Sequence, residues 1–199
     1  MNNYSFICPV KPRDELKVEH IFQATLLLVK QNGLAGITMS EIAKAANIAT
    51  GTLYIYFESK EKLINELFTR SRKSSAEIYF KGYNASHPFK EGLQTIWFNL
   101  FNFRIEHFED AVFMDQCYHS PYITESTKEL TKKLMQPLYK LVERGKEEKL
   151  LKNIDAFMLL VYMFSGLNEF VKHSVYSERK ITKASKEELF NLMWDGIKA

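Results

Sequence analysis

The sequence contains little cysteine, proline or glycine, with 2 Cys, 5 Pro and 8 Gly among 199 residues. The two cysteines, Cys8 and Cys117, are too few for a disulfide framework, and neither belongs to a Cys-x-x-Cys pair. No apolar run reaches the roughly 20 residues that a membrane-spanning helix needs. Met1–Val10 also lacks the charged and then apolar segments of a secretory signal. These absences favour a cytoplasmic protein with reduced cysteines.

Residue patterns that are typical of enzymes are missing as well. The 5 histidines are scattered, without a His-x-x-x-His pair that would put two metal ligands on one helical face. Cys117 and His119 are two positions apart, a spacing that cannot place both on the same face of a helix. There is no glycine-rich phosphate loop. We therefore predict no catalytic residues, no metal site and no cofactor, and a protein that is not an enzyme.

The dominant positive feature is a 3.6-residue apolar periodicity over most of the chain, which predicts an all-α fold of about nine helices. The first predicted helix covers about residues 14–31 and would bury a face formed by Ile21, Ala24, Leu27 and Leu28. Three Ser/Thr-x-x-Glu capping boxes are expected to open the second, seventh and ninth helices. They begin at Thr38, Ser126 and Ser185.

The chain is predicted to form two domains, residues 1–58 with three short helices and residues 59–199 with longer, aromatic-rich helices. Residues 1–75 contain 10 Lys and Arg against 7 Asp and Glu, whereas residues 76–199 contain 17 of each. All of the positive excess therefore lies in the first third of the chain, as expected for a region that approaches a polyanion. A chance scatter of three charges is the alternative.

The stretch from Thr38 to Leu63, TMSEIAKAANIATGTLYIYFESKEKL, has the pattern of a helix-turn-helix. Two short predicted helices are joined by three or four residues, and small alanines allow them to pack closely. Asn47 lies in the turn, where a left-handed backbone conformation is expected and asparagine tolerates it. Leu53 and Phe57 are four residues apart and are predicted to point to the core.

The remaining surface of the third predicted helix suits DNA. Its hydroxyl groups can donate hydrogen bonds to phosphate oxygens and so fix the helix in register. Gly51 allows close approach of the backbone to a phosphate, and Lys60 adds positive charge beside a helix N-terminus. Short threonine side chains would read thymine methyl groups and DNA shape. The predicted DNA-binding residues are Thr38, Ser40, Thr50, Gly51, Thr52, Tyr54, Tyr56 and Lys60. The alternative is that these residues only cover a small helical domain.

Residues 14–65 resemble the DNA-binding domain of the TetR family of transcriptional regulators. The resemblance rests on the apolar pattern of the first helix and on six short segments. These are Asn32-Gly33, Ile37-Thr38, Ile42-Ala43, Ala46-Asn47-Ile48, Gly51-Thr52-Leu53-Tyr54-Ile55-Tyr56-Phe57 and Lys60-Glu61-Lys62-Leu63. The resemblance implies a nucleoid-associated regulator in which Thr38, Tyr54, Tyr56 and Lys60 lie against the DNA backbone.

Two residues depart from the family's pattern. Asn47 stands where the family usually has a turn glycine, a mild change because asparagine tolerates the left-handed region. Ala49 stands where the family usually has a capping serine, so Thr50 or the backbone must cap the third helix.

The resemblance also implies that the second domain binds a small-molecule effector, which we expect to be hydrophobic or aromatic. Most aromatic side chains at helical spacing are core residues, but helix bundles also hold ligands between facing helices. Two amides in the set below could orient a polar group of the ligand. The predicted pocket residues are Trp97, Phe101, Phe113, Gln116, Cys117, Leu134, Leu138, Tyr162, Ser165 and Asn168.

The eighth predicted helix is apolar almost all round, which predicts burial on more than one side. With the ninth helix it would form a two-fold interface between two copies, as the resemblance implies. The predicted interface residues are Phe164, Gly166, Leu189 and Met193. The predicted function is thus a dimeric repressor that binds palindromic operator DNA and is released by its effector. The alternative is a protein of the same fold whose second domain contacts a protein partner.

Overall fold

Residues 14–118 and 120–199 are described by the structure, a computed structural model, so Cys8, Met1–Val10 and His119 lie outside the described residues. Within those two ranges the chain forms nine helices and no strand, which confirms the predicted all-α fold. The helices are α1 (Glu15–Asn32), α2 (Met39–Ala45), α3 (Thr50–Tyr56), α4 (Lys60–Tyr79), α5 (Phe89–Glu106), α6 (Phe108–Cys117), α7 (Glu125–Glu147), α8 (Ala156–Tyr176) and α9 (Lys183–Ile197). None of these described helices is both long and apolar enough to cross a membrane.

The chain divides into two compact units, Met1–Leu63 and Ile64–Ala199. In the first unit, α1, α2 and α3 surround an apolar core. Phe22 of α1 packs against Phe57 with ring centroids 5.6 Å apart, and Ile42 of α2 is fully buried. These contacts stabilise α2 and α3 in particular, because helices of 7 residues are too short to be stable alone in water.

The buried face of α1 differs from the predicted one at Leu27, which is 49% exposed. At about 100° per residue, Leu27 lies roughly 240° around the helix from the buried Ile21. The residues that are buried, such as Phe22, Thr25 and Val29, occupy the other side of the helix. The prediction for Leu27 was wrong because the buried face of α1 runs through Thr25 and not through Leu27.

The second unit, Ile64–Ala199, has a core that is dominated by aromatic side chains. Trp97 and Phe101 of α5 are fully buried, and Trp97 meets Phe190 of α9 edge-on at 5.4 Å. Phe113 of α6 is likewise fully buried. Aromatic rings bury a large area each, so this cluster is the main source of hydrophobic stabilisation in the unit.

Two helices of this unit begin earlier than their predicted capping boxes. α7 is capped by Thr124, whose side chain accepts a hydrogen bond from the backbone of Thr127, rather than by Ser126. α9 is capped by Thr182, and Ser185 supplies the reciprocal side chain of that capping box instead of opening the helix. In both places a second hydroxyl residue lies two or three positions upstream, and the sequence pattern alone did not distinguish the two.

A continuous apolar surface remains exposed along α8 and α9 in the single chain. Phe157 and Met158 are 58% and 60% exposed, and the side chains of Val161, Tyr162 and Leu192 are exposed as well. Contiguous apolar surface of this kind on a folded protein marks a contact site for another molecule.

Candidate nucleic-acid interface and effector cavity

The N-terminus of α2 is fixed by the predicted capping box. The backbone of Glu41 donates to Thr38 Oγ1 at 3.2 Å, and the backbone of Thr38 donates to Glu41 Oε2 at 2.8 Å. The Thr38 hydroxyl also donates to the same carboxylate oxygen at 2.7 Å. These bonds lower the pKa of the Glu41 carboxyl, chiefly through the hydroxyl. Because a hydroxyl carries a single hydrogen, Thr38 cannot donate to Glu41 and to a phosphate at the same time.

The turn between α2 and α3 adopts the predicted left-handed conformation at Asn47, with φ 55°. The backbone of Ile48 donates to Ala43 O at 3.0 Å, which closes the end of α2. Ala49 precedes α3 and makes no side-chain capping bond, so the backbone alone begins this helix. The backbone bond from Thr52 to Ala49 O at 2.9 Å serves that purpose.

Helix α3 presents one buried and one open face. Leu53 and Phe57 are buried, as predicted, whereas Thr50 and Gly51 are exposed. Tyr54 is 50% exposed, and Thr52 and Tyr56 are partly exposed. A methyl group added at Gly51 would meet no atom of the described residues within 4 Å, so nothing in that part of the chain requires glycine there.

Ile55 is 83% exposed at the centre of the open face of α3. It was missing from the predicted DNA-binding set, although the signal was present in the sequence. Ile55 is two residues from the buried Leu53 and therefore lies about 200° around the helix from it. A side chain that projects this far could contact the apolar part of a base, the thymine methyl group, if the helix lay in a major groove.

Lys60 lies in the first turn of α4, as predicted, and its amine makes contacts within the unit. Its Nζ donates to Leu34 O at 2.8 Å and to Ile37 O at 2.7 Å, two carbonyl groups of the segment between α1 and α2. At least two of its three N–H groups are thus engaged inside the unit. The Lys60 side chain therefore links the first turn of α4 to that segment.

A cavity of about 520 Å³ lies within the second unit between α4 and α7, and Tyr118, Ser120 and Ile123 form one of its sides. Its volume is in the range of small-molecule sites in proteins. The lining residues are Phe68, Arg72, Tyr118, Ser120, Ile123, Lys128, Thr131, Lys132, Met135 and Tyr139. None of them belongs to the predicted pocket set.

Comparison with known proteins identifies both parts of the chain. Residues 21–67 match the family of bacterial regulatory proteins of the tetR type, and residues 88–198 match the tetracyclin repressor-like C-terminal domain. The chain belongs to the TetR family. Members of this family are helix-turn-helix transcriptional regulators, a DNA-binding class that is not enzymatic.

Individual relatives agree with this assignment of the TetR-family chain. Over 85 residues it is 34% identical to an uncharacterized HTH-type transcriptional regulator of Haemophilus influenzae, a match that covers 43% of this chain and 46% of the relative. The chain thus spans about half the length of that curated relative. A crystal structure of a TetR family transcription regulator from Marinobacter aquaeolei VT8 has a TM-score of 0.84 and 26% identity, covering 94% of this chain and 97% of that one.

The ten predicted pocket residues of this TetR-family chain are not brought together around one cavity. Trp97, Phe101 and Phe113 are fully buried in the packed core, Leu138 is buried, Leu134 is partly buried, and Gln116 is exposed. Asn168 is partly buried, and its Oδ1 is buried without a hydrogen-bond partner among the described residues. Trp97 and Phe101 pack against each other, with ring centroids 5.3 Å apart.

Cys117, another predicted pocket residue, is a fully buried free thiol. Burial raises the pKa of the Cys117 thiol to about 12. Three of the four predicted dimer residues, Gly166, Leu189 and Met193, line a second cavity of about 260 Å³ along α8 and α9. Three residues of the predicted pocket set line the same cavity. It is lined by Trp97, Tyr162, Met163, Ser165, Gly166, Leu167, Leu189, Leu192 and Met193, and the predicted interface residue Phe164 is partly buried on the same helix α8.

Proposed function

We propose that this protein is a repressor that binds palindromic operator DNA as a homodimer and is released by a small-molecule effector. The open face of α3 carries the proposal. It combines hydroxyl side chains, the projecting Ile55 and a glycine that the chain itself does not need. That combination suits a helix that enters the major groove and lies close to phosphates on both sides.

The residues of the proposed DNA interface have different roles. Thr50, Thr52 and Ile55 face the bases, where short and apolar side chains contact thymine methyl groups. The hydroxyls of Ser40, Tyr54 and Tyr56 donate to phosphate oxygens, and Gly51 lets the backbone come close. We assign Thr38 and Lys60 to holding α2 and the start of α4 in position, because their donors are engaged within the unit.

Dimerisation is proposed through the apolar surface of α8 and α9. Gly166 lies exposed on α8, and a methyl group added there would meet no atom within 4 Å of the same chain. Its missing side chain therefore leaves room for something outside the chain, such as a helix of a second copy. A dimer is also what operator recognition requires, since two recognition helices must be spaced by about one turn of DNA, roughly 34–36 Å.

The effector is proposed to bind the cavity between α4 and α7 and to have a hydrophobic or aromatic body. Phe68 and Ile123 supply buried apolar surface there. The effector weakens DNA binding if it binds the DNA-free conformation more tightly than the DNA-bound one.

The exposed face of α8 and α9 also fits a second candidate function, in which a different protein binds there. The two candidates differ in the mass of the pure protein in solution. A homodimer gives twice the chain mass of 23.3 kDa in light scattering at micromolar concentration, whereas the second candidate gives a monomer until its partner is added.

The first test of the DNA-binding role is Ile55→Ala, assayed on DNA fragments selected from a random pool. Losing the contact with a thymine methyl group should weaken binding by about tenfold, because fully burying a side chain such as isoleucine contributes roughly 1.5–3 kcal/mol. The slope of affinity against salt should stay unchanged, since no charge is removed. Gel-shift titrations at several salt concentrations measure both quantities.

Leu27→Ala is the matched control, because Leu27 is also an exposed aliphatic residue of the same unit but lies on α1. It should bind DNA like the wild type. Equal affinities of Ile55→Ala and wild type for the selected fragments would remove Ile55 from the interface.

A further inference from the structure

The cavity between α4 and α7 combines an apolar floor with a single unbalanced positive charge. Phe68 and Ile123 are buried and form the floor together with the partly buried Met135. No acidic side chain is among the described residues that line the cavity. The lining cations are Arg72, Lys128 and Lys132.

The two lysines are already paired at the rim. Lys128 Nζ lies 2.6 Å from Glu125 Oε1, and Lys132 Nζ lies 2.7 Å from Glu129 Oε1. Both ion pairs are between exposed residues on α7, and each balances its lysine's charge. Thr131, which also lines the cavity, donates its hydroxyl to Thr127 O at 2.9 Å. These three side chains therefore leave little unsatisfied polarity inside the cavity.

Arg72 is in a different situation. Its guanidinium lies over the Phe68 ring, with the central carbon 5.2 Å from the centroid, and 5.9 Å from the Tyr118 centroid. Its Nε is buried and has no hydrogen-bond partner among the described residues. Asp115 interacts with Arg72 through its charge alone, and its carboxylate pairs with Arg104 at 2.6 Å. Burial lowers the pKa of Arg72, but an arginine remains charged.

A second unsatisfied donor lines the same cavity. The hydroxyl oxygen of Ser120 is buried and has no partner among the described residues. Native proteins rarely leave buried polar atoms unpaired, and such atoms commonly mark a place where another group binds. Two such atoms, Arg72 Nε and Ser120 Oγ, line one cavity, and both belong to groups that can donate a hydrogen bond.

The geometry points to an amphipathic anion as the effector: a carboxylate or phosphate group bound by Arg72 and Ser120, with a hydrocarbon or aromatic body against Phe68, Ile123 and Met135. This inference rests on the proposed function, in which this cavity holds the effector. A neutral apolar molecule would fill the same floor but would leave both donors unpaired. A cation would meet the uncompensated charge of Arg72.

Four ten-carbon probes with different head groups test the inference: decanoate, decyl phosphate, decanol and decylamine. Isothermal titration calorimetry of the full chain should show binding of at least one of the two anions, with decanol about tenfold weaker or more and decylamine weaker still. The comparison of decanoate with decyl phosphate distinguishes a carboxylate from a phosphate effector.

Variants then locate the head group. Arg72→Gln should weaken binding of the preferred anion by about tenfold or more, since hydrogen bonds to charged groups are the strong ones, and should leave decanol unchanged. Ser120→Ala should weaken the anion by a few-fold. Lys132→Gln, which removes a rim charge that is already paired, is the matched control and should change affinity less than twofold.

The inference is overturned if decanol binds as tightly as the anions, if none of the probes binds, or if neither Arg72→Gln nor Ser120→Ala weakens the anion. A gel-shift assay with each probe tests the proposed function separately. An anion that binds in calorimetry without releasing DNA leaves the cavity's ligand class intact and contradicts the release mechanism.

Discussion

The open face of α3 and the open face of α8 and α9 both expose apolar side chains around a glycine that the chain itself does not require. On α3, Ile55 is flanked by hydroxyl residues such as Thr50, Thr52 and Tyr54. On α8, by contrast, Phe157, Met158, Val161 and Tyr162 form a nearly unbroken apolar patch.

The two faces differ in how many polar residues surround their apolar side chains, and this difference indicates which kind of partner suits each face. A DNA groove offers phosphate oxygens and a few methyl groups, so a face with many donors and one apolar side chain complements it. The core of an interface with another protein offers mainly apolar side chains, so an unbroken apolar patch complements that instead. Exposure alone would have assigned the same role to both faces.

The largest expected effect tests whether Phe113, unlike the exposed side chains of α8 and α9, lies in a closed core. Phe113→Ala should lower the free energy of unfolding by about 3–5 kcal/mol, because it leaves a cavity in a closed core. Urea denaturation measures the loss, with Tyr139→Ala at the half-open mouth of the α4–α7 cavity as the control. A loss below about 1 kcal/mol would mean that Phe113 lines a ligand site after all.

A charge in the α8 patch tests the second face directly. Met158→Glu should raise the dimer dissociation constant by at least about 100-fold, because each copy would bury an unpaired carboxylate. Analytical ultracentrifugation measures this constant. Leu27→Glu adds the same charge at another exposed aliphatic position and should remain dimeric. An intact Met158→Glu dimer would move the interface away from this patch.

The smallest expected effect tests the open face of α3. Gly51→Ala should raise the free energy of unfolding by up to about 1 kcal/mol, since alanine favours a helix and its methyl group meets no atom of the chain. It should nevertheless weaken DNA binding, because the added methyl group would meet the phosphate backbone. Thermal denaturation and gel-shift titration measure the two effects. Unchanged DNA affinity would show that the backbone at Gly51 stays away from DNA.

Features of the first unit that depend on neighbours in sequence were predictable. Asn47 adopts its left-handed conformation, Thr38 and Glu41 form their capping box, and Leu53 and Phe57 are buried. Each of these follows from helical periodicity or from hydrogen bonds between residues at most a few positions apart. The all-α fold followed from the same short-range signals.

Features that depend on distant parts of the chain were not predictable. Lys60 binds carbonyls 26 and 23 residues away, and nothing near it in sequence indicates that. The cavity is formed by Phe68, Tyr118 and Tyr139, which come from three separate segments. Aromatic spacing on α5 and α6 indicates burial but does not tell a packed core from a ligand site, because both need the same residues.

The high pKa of the Cys117 thiol, about 12, makes this side chain poorly reactive in the folded protein. A buried thiol with a raised pKa carries little of the thiolate that reacts with oxidants and alkylating agents at neutral pH. Because Cys117 is buried, its alkylation rate in a chain whose Cys8 has been replaced by serine measures how often the core around α6 opens.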